Sequence, residues 1–99
     1  MELKDFKNYL RIDDDLTDDD SMVQALMSSA KEYIENSTGK AWQDDSELML
    51  SCAKLLVAHW YNDRTLVSKS NVQEYSHSIT SMLHLIEVSD AYPAKAVTP

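Results

Sequence analysis

The sequence predicts an all-α fold, a small four-helix domain with a long loop or weak hairpin before the last helix and an extended C-terminal tail. Three observations point to it. Glycine occurs once, at Gly39, and proline only at Pro93 and Pro99, so Gly39 is the one strong helix breaker before Tyr92. Apolar residues recur on one side of three segments with helical spacing and cover nearly the whole circumference of a fourth. The chain of 99 residues, 43% hydrophobic and 26% charged, has apolar material for one core, which makes residues 1–99 a single domain.

The first helix is expected over about residues 2–11, where Leu3, Phe6 and Leu10 fall at i, i+3 and i+7 on one face. It gives way at Arg11-Ile12-Asp13-Asp14-Asp15, because neighbouring carboxylates repel and aspartate favours turns. The second is expected over about 18–37, opened by a capping-box-like Thr17 to Asp20 pair. Met22, Val23, Leu26, Met27, Ala30, Tyr33 and Ile34 keep the helical rhythm, opposite Gln24, Ser28, Lys31, Glu32 and Glu35. Asn36-Ser37-Thr38-Gly39 closes it, with Gly39 suited to a left-handed cap.

The third helix is expected from Asp45 or Ser46 to about Arg64 and is the most apolar of the four. Its only polar stripe runs through Glu47, Ser51, Lys54, Ala58 and Asn62, so other helices or a neighbouring subunit must cover the rest. Thr65 to His77 mixes polar residues with Leu66, Val67, Val72 and Tyr75 around Ser68-Lys69-Ser70-Asn71, the pattern of a long loop or weak hairpin. Excursions of that length in small domains are often functional. The last helix, over about 78–88 and capped by Ser76 or Ser78, carries Ile79, Met82, Leu83 and Ile86 on one face. Leu85 and Val88 point elsewhere and form a second apolar patch that a monomer has difficulty burying. The tail, Ser89 to Pro99, reads as extended and disordered unless a partner holds it.

Composition excludes several function classes. A net charge of −8 repels a phosphate backbone, which argues against sequence-specific nucleic-acid binding yet suits a wall past which DNA slides without sticking. Cys52 stands alone, so there is no intrachain disulfide and no cysteine metal site. No apolar stretch approaches the roughly 18 residues that span a bilayer, and the first residues do not read as a basic-then-apolar signal peptide.

Catalytic apparatus is missing too. The alternating Asp13, Asp15, Thr17 and Asp19 resemble the start of a calcium loop, but Asp18 and Gln24 stand where such a loop needs glycine and a bidentate glutamate. His59, His77 and His84 are not spaced as a zinc pair on one helix, and His59 reads as a core or interface residue. No serine sits in a nucleophile elbow and no glycine-rich loop cradles phosphate, so no catalytic, cofactor or metal site is assigned. Aromatic residues are the better candidates, as interface anchors. Tyr33 and Trp60 are assigned to the core. Trp42, Tyr61, Arg64, Val72, Tyr75, Leu85, Val88 and Tyr92 are the candidate protein-interface residues, with Trp42, Tyr61 and Tyr75 equally open to a place in the core.

Three blocks carry a resemblance: Phe6-Lys7-Asn8-Tyr9-Leu10-Arg11-Ile12-Asp13, Glu32-Tyr33-Ile34-Glu35-Asn36-Ser37-Thr38-Gly39-Lys40, and Leu55-Leu56-Val57-Ala58-His59-Trp60-Tyr61-Asn62-Asp63-Arg64. In order and spacing, over about residues 2–88, the chain resembles the head-tail connector proteins of long-tailed bacteriophages, also described as DNA-packaging or head-completion adaptors. The resemblance implies a structural, non-enzymatic virion protein at the head-tail junction, assembled in the bacterial host cytoplasm. It further implies a ring of about twelve copies matching the portal's symmetry. Its partners would be itself, the portal protein and the next neck or tail-completion protein, with DNA only passing through and no membrane contact. The chain departs from the family near its last helix, with Tyr75-Ser76-His77-Ser78 where the family often has proline and Glu87-Val88-Ser89-Asp90 where it often ends on a basic residue.

The rival reading is an acidic inhibitor that imitates DNA. Its carboxylates should be spread along one surface like phosphates, whereas here they crowd between Asp13 and Asp20 and leave the third helix poor in charge.

Overall fold

A helix apolar nearly all round has to lie inside the molecule, and α3 (Glu47–Asp63) does. Met49, Cys52, Ala53, Leu56 and Val57 are fully buried along it, while Glu47 and Asn62, at the two ends of its polar stripe, are exposed. The structure, a computed structural model, describes residues 1–63 and 77–95. Around α3 stand α1 (Leu3–Tyr9), α2 (Asp20–Thr38) and α4 (His77–Val88), and the described residues contain no strand.

Helix α2 makes the main contact with α3 and lays Val23, Met27, Ala30 and Ile34 against it at helical spacing. Helix α4 packs against both α3 and α2 with Ile79 and Ile86, supported by Met82 and Leu83. Helix α1 packs across α2 and α3 through Phe6. Each large side chain fully buried here, such as Phe6, Ile34 or Leu56, contributes about 1.5–3 kcal/mol of hydrophobic stabilisation.

The helix ends follow local chemistry. Gly39 stops α2 at φ 73°, its N–H donating to Glu35 O at 2.8 Å. Buried Thr38 donates its hydroxyl to Ile34 O at 2.7 Å and accepts from Lys40 N at 3.2 Å, which tightens the exit. At α3, the Ser46 Oγ accepts the Met49 N–H at 3.1 Å, a serine N-cap at one of the two expected positions.

The start of α2 differs from the capping-box expectation. Thr17 offers its carbonyl to Asp20 N at 3.2 Å rather than a hydroxyl to the helix, which begins at Asp20 and not near Asp18. Its N-cap, Asp19, makes no side-chain cap because the carboxylate instead accepts the Tyr61 hydroxyl at 2.6 Å. Tertiary partners have taken the groups that local capping would use. His77, expected in the loop, is the first residue of α4, and its carbonyl accepts the Thr80 hydroxyl at 3.0 Å. The remainder of that loop, 65–76, lies outside the described residues.

The described part of the tail is not extended throughout: it turns at Asp90 and Ala91 and bends at Tyr92, and residues 89–95 are held by their own chain. Ala41 N donates to Pro93 O and Lys95 N to Gly39 O, both at 2.8 Å, forming an isolated antiparallel bridge between Lys40 and Ala94.

Candidate interaction surface

Two parts of the surface stand out, one by charge and one by apolarity. The acidic corner is built around Lys7, which occupies the apolar stripe of α1 with Leu3, Phe6 and Leu10 and is only 4% exposed. A buried ammonium needs partners for its three donors. Lys7 Nζ finds Leu16 O at 2.7 Å, Asp14 O at 3.3 Å and Asp20 Oδ1 at 2.9 Å. The loop from Asp13 to Asp20 thus wraps a cation supplied by the chain itself. Asp13, Asp14, Asp15 and Asp18 are left exposed, together with Leu16. The described residues contain no group of His, Cys, Asp or Glu arranged to hold a metal ion. Sequence reasoning missed Lys7. The available signal was its position, i+4 from Leu3 and i−3 from Leu10, where a lysine must either snorkel out or be paired.

The apolar surface lies on the outer side of α4. Leu85 is 53% and Val88 58% exposed, while Ile79 and Ile86 on the inner side are buried. Thr80, Ser81, His84 and Leu85 line a shallow groove of about 420 Å³ there. The separation of faces read from the sequence is therefore present.

The other candidates divide. Trp42, Tyr61 and Tyr92 are half-buried against the core, and each polar tip has a partner within the chain. Trp42 Nε1 donates to Asp44. That bond, with the Met1 amino group 3.0 Å from the same carboxylate, holds Asp44 below the ordinary carboxyl value. The Tyr61 hydroxyl reaches Asp19, tying α3 to the start of α2, and the Tyr92 hydroxyl lies 2.7 Å from Ser46 Oγ. Arg64, Val72 and Tyr75 lie outside the described residues. Tyr33 and Trp60, assigned to the core, meet edge to face at 6.0 Å and 81° on its half-buried margin. His59 is half-buried, and His77 and His84 are exposed.

Burial pushes the Cys52 thiol up to about 11, so it is a packing residue and not a nucleophile near neutral pH. No helix among the described residues is long and apolar enough to cross a membrane. What the surface offers is contact area: an apolar stripe on α4 and an acidic corner at the opposite end of the sequence.

Comparison with known proteins agrees with that character. The family model described as phage gp6-like head-tail connector protein matches residues 1–88. No curated protein and no solved structure matches the chain. The matched span takes in all four helices and stops at the last residue of α4, leaving only the tail outside. The chain belongs to the phage gp6-like head-tail connector family.

Proposed function

We propose that this protein is a connector subunit that assembles as a ring beneath the portal, extends the DNA channel and offers a docking surface to the next neck or tail-completion protein. Family membership across all four helices carries the reading. The exposed Leu85 and Val88 support it, because an apolar stripe on an otherwise charged surface is stabilised when a neighbouring subunit covers it. A closed ring of about twelve copies would match the portal's symmetry. The net charge of −8 suits a conduit that must not retain DNA. Trp42, Tyr61 and Tyr92, with Arg64, Val72 and Tyr75, are secondary contacts that would rearrange or be covered on assembly.

The reading is tested by light scattering coupled to size exclusion over a range of concentrations, with and without purified portal protein. A closed ring, or a monomer recruited stoichiometrically by portal, is expected. A chain that stays monomeric, ignores portal and competes with DNA for a nuclease would overturn it in favour of the acidic inhibitor. The acids at the Asp13 to Asp20 corner do not favour that alternative: Lys7 draws Asp20 inward, and the exposed ones crowd one turn.

A further inference from the structure

Residues 89–95 follow the family-matched span and form a strap with few ties to the rest of the chain. The described ties are two backbone hydrogen bonds, Ala41 N to Pro93 O and Lys95 N to Gly39 O, two side-chain contacts, Tyr92 with Ser46 and Lys95 with Asn36, and the packing of the Tyr92 ring on the margin of the core. Pro93 has no N–H to return a bond to residue 41, so the ladder cannot lengthen toward α4. Between Val88 and Tyr92 run only Ser89, Asp90 and Ala91, of which Asp90 and Ala91 are exposed. Immediately before this hinge stand Leu85 and Val88, the exposed apolar pair of α4.

We infer that the strap is exchangeable: in the assembled state, residues 89–95 of one copy dock on the Gly39 to Ala41 edge and Ser46 of the next copy. Exchange keeps every strap contact, since an identical chain presents the identical edge, and so costs no hydrogen bond. The short hinge brings the neighbour's body close to the end of α4, where it covers Leu85 and Val88. Taken head to tail, strap of one copy to edge of the next, the contact is heterologous and generates a ring when its rotation closes. The inference rests on the assembly reading above and names the contact that links its subunits.

Lys40 and Ala94 face each other as a pair without direct hydrogen bonds between them, where Cα atoms lie about 4.5 Å apart and a disulfide fits. Single variants Lys40→Cys and Ala94→Cys, neither at a buried position, are mixed as full-length chains and oxidised with and without portal protein. Cys52 is fully buried and does not compete. Exchange is expected to give the mixed dimer, one variant disulfide-bonded to the other, in about tenfold excess over either homodimer, because docking raises the effective concentration of the correct pair only. Cross-links at the statistical ratio in a sample that light scattering shows to be oligomeric would overturn strap exchange and leave the connector reading standing. A sample both monomeric and free of mixed dimer would overturn both.

Discussion

The acidic corner and the outer face of α4 both depart from an ordinary surface, and they are compensated differently. At the corner, one lysine suffices: Lys7 reaches a carboxylate and two carbonyls, because electrostatic attraction and directed hydrogen bonds act through single atoms. On α4 no single residue can do the same for Leu85 and Val88, because hydrophobic stabilisation scales with area removed from water. Within the subunit Lys7 offsets the Asp20 carboxylate and leaves the exposed neighbouring acids in water. Leu85 and Val88 have no such partner among the described residues and stay exposed.

Mutations can break this contrast from either side. The largest effect is expected from Leu85→Asp with Val88→Asp: loss of self-association and portal recruitment by light scattering, with unfolding free energy within about 0.5 kcal/mol of wild type. A large loss of stability would mean that these side chains serve the subunit's own core. Lys7→Met should do the opposite, costing about 2–3 kcal/mol in denaturant unfolding by leaving Asp20 and two loop carbonyls without their cation. Adding Asp20→Asn should recover part of that loss, and chelation with EDTA should leave the wild-type Tm unchanged.

Two smaller effects sharpen the picture. Ser46→Ala removes the α3 cap and the Tyr92 partner together, for about 1–2 kcal/mol. Gly39→Ala should cost about 1 kcal/mol through the left-handed backbone alone, since an added Cβ meets nothing within 4 Å.

The smallest effect concerns alkaline pH. Because the folded Cys52 keeps its proton up to about 11 against an ordinary 9.0, its contribution is complete below 9.0 and is lost as pH rises through that interval. Tm should fall over that range in wild type more than in Cys52→Ala, and thiol reagents should label the native protein slowly at pH 8.

Much of the fold was legible because helical periodicity and chain breakers are local properties. Gly39, the Leu3 and Phe6 stripe of α1, and the opposition of Ile79 and Ile86 to Leu85 and Val88 all follow from spacing. The errors share one cause. Thr17 and Asp20 matched a local capping pattern, but Lys7 and Tyr61, distant in sequence, claimed Asp20 and Asp19. Residues 89–95 looked free because their partner edge, Gly39 to Ala41, is some fifty residues earlier. The candidate aromatics were chosen by type, and type does not say which way a ring points. Trp42, Tyr61 and Tyr92 are half-buried against the core, while the exposure of Leu85 and Val88 was legible because helical geometry fixes direction.

The sequence by itself determined four helices, their apolar faces and the stop at Gly39, since each depends on residues within a few turns of one another, and its acidic, cysteine-poor composition is read from the chain as a whole. Tertiary structure alone decided that Lys7 is buried as the cation of the acidic loop, that Tyr61 reaches Asp19, and that the tail returns to the end of α2. These are pairings between groups far apart in the chain, and only packing of the helices brings them within hydrogen-bonding distance.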